Sequence, residues 1–192
     1  MSTQSKSFLT PEEYLEIERK AEFKSEYYQG EMFAMSGALE AHILITGNAF
    51  GELRQQLRQR PCKAYSSEMR VCVTPAGLYT YPDIVVLCGE PKFLDNQPDT
   101  LTNPNVIVEV LSKSTEAYDR GQKFKLYRSL ESLQEYVLIS SREVSVELFT
   151  RQPDGQWLLK LMDKLEDSIE LKSIDCRLSL ADLYEKVDFA RS

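Results

Sequence analysis

Histidine is nearly absent: His42 is the one histidine in 192 residues. That excludes zinc sites built on several histidines and argues against HNH-type nuclease chemistry. It also leaves one candidate base for any Ser-His or Cys-His scheme. The four cysteines, Cys62, Cys72, Cys88 and Cys176, contain no CxxC pair, and three lie in or beside apolar runs. They are expected to be buried reduced thiols rather than metal ligands or disulfide partners. No stretch approaches the ~20 apolar residues needed to span a bilayer. The opening "MSTQSKSFLTPEEYLEIERK" has no apolar core of the kind a secretory signal carries, so the cytoplasm is the expected compartment. Positive charge is also in deficit: 23 Lys and Arg against 30 Asp and Glu give a net charge of −7. A general nucleic-acid coat is disfavoured, and binding to nucleic acid requires a local basic patch. Repeats, low-complexity tracts and linkers are missing too, which leaves one domain over residues 1–192 with an ordinary core.

What is present reads as α/β. Thr10, Pro11 and Glu13 form a capping-box helix start before "YLEIE",. "FKSEYYQGEMFAM" reads as a hairpin around Gln29-Gly30,. "ALEAHILITGNAFGELRQQLRQR" reads as a long helix with Ile43, Leu44, Phe50, Leu53 and Leu57 on its apolar stripe,. After Pro61 come short strands in "CKAYSSEMRVCVT", "YPDIVVLC" and "VIVEVLS", with a Pro/Asn/Asp-rich loop at 89–104 before the last,. A helix is expected from about Ser114 to Leu130. Strands in "EYVLISS", "VSVELFT", "WLLKLM" and "IELKSI" follow, then a short helix in "SLADLYEKV". The sum is a central mixed sheet flanked by helices, with additional C-terminal strands.

Two carboxylates interrupt the most apolar strands. Asp83 precedes Ile84, Val85, Val86 and Leu87, and Glu109 sits within Val106–Leu111. Strand alternation puts Asp83 on the face of Val85 and Leu87, and Glu109 on the face of Ile107 and Leu111. If the strands are neighbours, both acids project to one side. Burying them requires a partner cation, a metal ion or an opening to water. The following helix supplies cations. At ~100° per residue, Lys123 and Arg120 fall within the arc of Ala117, Phe124, Tyr127 and Leu130, while Gln122, Lys125 and Arg128 point away. Read singly, each residue is a turn former or a salt-bridge partner; together they form a candidate site.

The acid pair, the first preceded by Pro82, resembles the PD-(D/E)XK nuclease superfamily. Within it, "YPDIVV", "VIVEVLSKST", "YDRGQKFKLYRSL" and "LQEYVLIS" resemble the Uma-type restriction endonuclease family, a likeness running from "EYYQGEMFAMSG" to "SLADLY". The resemblance implies a restriction-endonuclease-like core. It also implies Mg²⁺ or Mn²⁺ held by Asp83, Glu109 and the Val110 carbonyl, and DNA as substrate, cut by a homodimer. The superfamily's usual lysine stands two residues after the second acid, where this chain has Leu111; Lys123 matches a displaced position, with Lys125 the fallback. The pattern also marks Glu26 and His42, and Glu68 more weakly as an exposed acid.

Phosphate contacts are expected from Arg120, Ser112 and Lys113 at the helix start. Arg54, Arg58, Arg60 and Lys63 form a second basic cluster that otherwise reads as a solvated helix face. A nuclease-fold module without turnover, binding nucleic acid or a protein partner, is the alternative, and hydrolysis of another phosphate ester is a third.

Overall fold

The structure, a computed structural model, describes residues 8–191. Residues 1–7 and Ser192, which the single-domain reading included, lie outside the described residues, as does the first part of the opening stretch read as lacking a secretory signal.

The chain opens with helix α1 (Pro11–Glu18), whose capping box is formed as expected: the Glu13 amide donates to Thr10 Oγ1 at 3.2 Å and the Thr10 amide donates to Glu13 Oε2 at 2.8 Å. Strands β1 (Ser25–Tyr28) and β2 (Glu31–Ala34) form the hairpin, turned by Gln29 and Gly30 at φ 49° and 89°. Two consecutive positive φ values are what a tight two-residue hairpin turn demands. Helix α2 (Glu40–Leu57) follows. Its buried stripe is Ala41, Ile45, Ala49, Leu53 and Leu57, and Ile43 is 59% exposed. The stripe runs at i+4 spacing, and its two small alanines, eight residues apart, let the helix lie close on the sheet.

The next strands are β3 (Cys62–Ser66), β4 (Arg70–Val73), β5 (Leu78–Thr80), β6 (Ile84–Cys88), β7 (Thr100–Leu101) and β8 (Val106–Leu111). A helical segment comes next: α3 (Glu116–Tyr118), a π-helical turn (Asp119–Lys123) and α4 (Phe124–Tyr127). Strands β9 (Glu135–Ser140), β10 (Val146–Arg151), β11 (Trp157–Met162), β12 (Ser168–Leu171) and β13 (Cys176–Ser179) lead to helix α5 (Leu180–Leu183). The single central sheet expected from the sequence is joined by others. Six strands form a mixed sheet in the order β11-β10-β9-β8-β6-β3, five form a second sheet in the order β2-β1-β5-β4-β7, and β12 and β13 form a hairpin. β8 and β9 are parallel, which explains why "VIVEVL" and "EYVLIS" read as near-continuous apolar runs buried on both faces,.

One face of the six-stranded sheet carries Ile84, Val86, Val106, Val108 and Val110, packed against α2 and the C-terminal hairpin. The other carries Val85, Leu87, Ile107 and Leu111, packed against α4 and the five-stranded sheet. Tyr14, Tyr27 and Tyr79 form a third cluster that seats α1. Among the described residues no helix is long and apolar enough to cross a membrane.

The cysteines depart from expectation in part. Cys72 and Cys176 are buried and free, but Cys62 and Cys88 are joined as a disulfide. The antiparallel register of β3 and β6 sets them opposite each other; their separation of 26 residues carried no trace of that register.

Candidate functional site

The chain crosses from the five-stranded to the six-stranded sheet at Tyr81-Pro82-Asp83, between β5 and β6. β6 runs antiparallel to β8 with Ile84 opposite Val108, so Asp83 falls opposite Glu109, just beyond the last pair. Side chains opposite one another in an antiparallel pair share a face. The two acids therefore converge. The Asp83 amide donates to Glu109 Oε2 at 3.4 Å, and the Val110 amide donates to Asp83 Oδ2 at 2.7 Å.

Lys123 meets them from the π-helical turn. Its Nζ lies 2.9 Å from Glu109 Oε1, 3.2 Å from Glu26 Oε1 and 3.6 Å from Asp119 Oδ1. Its side chain is 6% exposed, and it sits 5.9 Å from the Tyr118 ring centroid. Glu26 comes from β1 and also accepts a hydrogen bond from the Thr80 hydroxyl. The Tyr127 hydroxyl donates to Glu109 Oε1 at 2.9 Å. His42, in the first turn of α2, places Nε2 3.3 Å from Asp83 Oδ2 and also reaches the Val110 carbonyl. The imidazole thus touches two of the three donors expected to share a metal.

Of the residues singled out from the sequence, Asp83, Glu109, Val110, Lys123, Glu26 and His42 are brought together. Arg120 is not. Its guanidinium is held by Glu116 and by Glu147 Oε1, the latter at 2.6 Å. The expectation that it shares the inward arc with Lys123 assumed α-helical winding. In the π turn each residue advances by less than ~100°, which swings Arg120 away from Lys123 while keeping Asp119 beside it,. Ser112 bonds to the Ser114 and Thr115 hydroxyls at 3.0 and 3.1 Å, and Lys113 is exposed. Lys125 and Gln122 are exposed, as the helix count indicated, and Glu68 pairs with Lys24 at the surface.

Asp119 and Tyr127 were missed. An acid near a helix start ordinarily reads as a partner of the helix dipole, and a tyrosine on an apolar arc reads as core. The signal that could have found Asp119 is its i,i+4 spacing to the inward lysine.

Electrostatics follow from crowding. Three carboxylates, of Glu26, Glu109 and Asp119, share the Lys123 ammonium, and a fourth, of Asp83, pairs with His42. Burial pushes Glu109 up to about 8; Lys123 opposes this, while Asp119 and Asp83 add to it. Asp119 is raised for the same reason, burial foremost, with Glu26 and Asp83 contributing against Lys123. Burial lowers Lys123, but Glu109, Glu26 and Asp119 outweigh it and hold the ammonium well above its ordinary value. His42 is also raised: burial works against its charge, and Asp83 and the Val110 carbonyl overcome it. The cluster carries more negative charge than its own cations neutralise.

That excess suits a hard divalent cation, which takes carboxylate and carbonyl oxygens. Among the described residues no three His, Cys, Asp or Glu side chains form a ready-made cage. The donor set is instead two carboxylates and the Val110 carbonyl. This fits magnesium, which is usually held by one or two carboxylates and keeps several waters.

A restriction-endonuclease-like nuclease fold is what this architecture defines. It superposes with a TM-score of 0.75 on a crystal structure from Anabaena variabilis ATCC 29413 described as "a putative nuclease belonging to DUF820". That match is 20% identical and covers 92% of this chain and 98% of the other. Residues 11–181 match the Uma2 family model, described as "Putative restriction endonuclease", and the chain belongs to that family. Two proteins of Synechocystis sp. (strain ATCC 27184 / PCC 6803 / Kazusa) are relatives. Uncharacterized protein sll1609 is 41% identical over 151 residues, covering 79% of this chain and 85% of its own. Uncharacterized protein slr1290 is 36% identical over 181 residues, covering 94% of each chain.

Proposed function

We propose that this protein is a metal-dependent endonuclease that hydrolyses phosphodiester bonds in DNA. One observation carries the reading: an ammonium 2.9 Å from Glu109 supplies, from a helix, the lysine that the strand lacks at Leu111. Leu111 is buried in the core at 3% exposure and has no part in the chemistry. The family and the fold of its structural neighbour support the same reading.

Asp83, Glu109 and the Val110 carbonyl would hold Mg²⁺ or Mn²⁺. When bound, the ion lowers the pKa of a coordinated water and offsets charge on the phosphoryl oxygens. The protein's own groups do the rest. The Val110 amide and the His42 imidazole fix the Asp83 carboxylate, and the Tyr127 hydroxyl and the Asp83 amide fix Glu109. Lys123 stays protonated, so it acts as a fixed positive charge rather than a base. Aimed at the scissile phosphate, it stabilises negative charge that develops in the transition state and orients the attacking water. Glu26 and Asp119 hold Nζ from its other sides. Lys113 is exposed and open to a phosphate, whereas Ser112 would first have to release Ser114 and Thr115, and Arg120 would first have to leave Glu116 and Glu147.

A homodimer is part of the reading, since two copies bring two sites to two strands. β11 is the end strand of its sheet, and Leu159 and Leu161, on one face of it, are 44% and 66% exposed, an apolar strip available to a second copy,. The test is cleavage of supercoiled plasmid and single-stranded DNA with Mg²⁺ or Mn²⁺, repeated with EDTA and with Asp83→Ala. Cleavage that requires the metal and vanishes in the variant is expected; cleavage that survives Asp83→Ala overturns the assignment. Metal binding with no cleavage of any nucleic acid would favour the module without turnover.

A further inference from the structure

A concentration of positive charge lies outside the site. A groove of about 660 Å³ runs between the C-terminal half of α2 and the end strand β3. It is lined by Arg54, Arg58, Arg60 and Lys63, with Tyr65 beside them, and by no acidic residue. In a chain of net charge −7 that composition is unexpected.

Arg60 is a strut. Its guanidinium donates to the Ile174 and Asp175 carbonyls and lies 3.0 Å from the Asp175 carboxylate, tying α2 to the β12–β13 turn. Arg54, Arg58 and Lys63 are exposed and make no ion pair with the described residues. Three unpaired cations held around one concavity repel each other, and a polyanion relieves that repulsion.

Both walls of the groove lead to the acid cluster. α2 starts at His42's turn, against Asp83, and Arg54 and Arg58 lie 12 and 16 residues further along it. At ~1.5 Å per residue this is roughly 18 to 24 Å. On β3, Ser66 pairs with Ile84 next to Asp83, and Lys63 pairs with Leu87 further along. Lys63 and Tyr65 also share the sheet face of Asp83 and Glu109, by strand alternation. Duplex DNA rises ~3.4 Å per base pair, so the two arginines stand about five to seven base pairs from the site, and Lys63, four strand residues from Asp83 at ~3.3 Å each, stands about four,.

We propose that this groove binds the phosphodiester backbone of duplex DNA about half a helical turn from the scissile phosphate. The proposal rests on the nuclease reading and gives it the local basic footprint that the acidic chain otherwise lacks. Three neutralised phosphates would set the position of the duplex without reading its sequence.

The test is anisotropy binding of a labelled 30-base-pair duplex across a salt series. It is done in an Asp83→Ala background, so that turnover plays no part. Replacing Arg54, Arg58 and Lys63 with Gln should weaken binding and make the slope of log K against log salt shallower by about 3. A control triple at the far end of the sheet order, beside or just after β11, Arg128→Gln, Lys160→Gln and Lys164→Gln, makes the same charge change and should leave the slope as it was. Melting curves establish that both triples are folded. An unchanged slope in the groove triple overturns the proposal, as does an equal fall in both triples, which would assign the effect to net charge. So does a groove triple that loses binding to phosphatidylserine vesicles but not to the duplex. Plasmid cleavage by the wild type is scored separately. A duplex-binding groove with no cleavage would remove the nuclease reading without removing the groove, and cleavage with an unchanged slope would do the reverse.

Discussion

Glu109 and Glu135 stand on neighbouring parallel strands, and both are almost fully buried, at 4% and 1% exposure. Their surroundings differ in kind. Glu135 accepts from the Lys172 amide at 2.8 Å, the Ser173 amide at 3.2 Å and the Ser173 hydroxyl at 2.5 Å. It is a clamp: a carboxylate whose oxygens are met by fixed neutral donors, fastening β9 to the turn after β12. Glu109 is met by an ammonium and a tyrosine hydroxyl, with two further acids, Asp119 and Asp83, beside it. Burial raises both above the ordinary carboxylate value, and at Glu135 the Ser173 and Lys172 donors pull in the other direction. A buried carboxylate alone therefore does not mark a reactive site. An uncompensated surplus of carboxylates around one cation does.

The comparison breaks most sharply in activity. Glu109→Gln removes an ionic donor, so metal-dependent cleavage should fall on the order of 10³-fold, the several kcal/mol that a bound metal supplies. Glu135→Gln should leave the rate per folded molecule unchanged. Single-turnover plasmid cleavage measures both, and equal losses would erase the distinction.

Lys123→Ala comes next. The rate should fall about 10²–10³-fold, as for loss of a positioned charge at a transition state, while metal binding by calorimetry persists. Glu26, Glu109 and Asp119 would lose their shared partner, so the metal-free protein should also lose about 3–5 kcal/mol of stability. Loss of metal binding together with rate would show that the amine organises the donors rather than the phosphate.

Glu135→Ala isolates the clamp. The Lys172 and Ser173 amides lose their acceptor, at a cost of about 1–3 kcal/mol in denaturant unfolding, with turnover intact.

The smallest effect is in pH. A carboxyl whose folded pKa is raised stabilises the fold fully below its unfolded value and loses that contribution as pH rises through the folded value. For Glu109 the window runs from about 4.5 to about 8, so metal-free stability should decline across it. Metal affinity should rise across the same window, because the ligand must be ionised. Saturating magnesium should remove the Glu109 part of the decline and leave the Glu135 part. Thermal melts with and without Mg²⁺ in both Gln variants separate the two.

Much of this site was legible in the sequence because strand parity is a strict rule. Asp83 and Glu109 had to share a face once β6 and β8 were neighbours, and Lys123 had to face them once the helix packed there. The capping box of α1 and the Gln29-Gly30 turn were legible because they are local. What escaped was set by tertiary register or by non-standard winding. β5, β7 and β13 span three, two and four residues, too short for a periodic signal. The Cys62–Cys88 bond depends on the register of β3 against β6. Arg120 was turned inward by a count that assumed ideal winding, and the same count gave Asp119 no special standing. Ile43 was placed in the core by size, whereas the small Ala41 and Ala49 were what the sheet could accommodate.

The widened turn at Asp119–Lys123 has its own consequence. Because the amine's bearing depends on one surplus residue in a coil, it answers to insertions and deletions rather than to point changes. Removing Gly121, whose missing side chain meets nothing nearby, would restore regular winding and rotate the lysine relative to β8 and the turn that precedes it. The acids would stay where the strands put them, still able to collect an ion, but with no positive charge trained on whatever that ion holds.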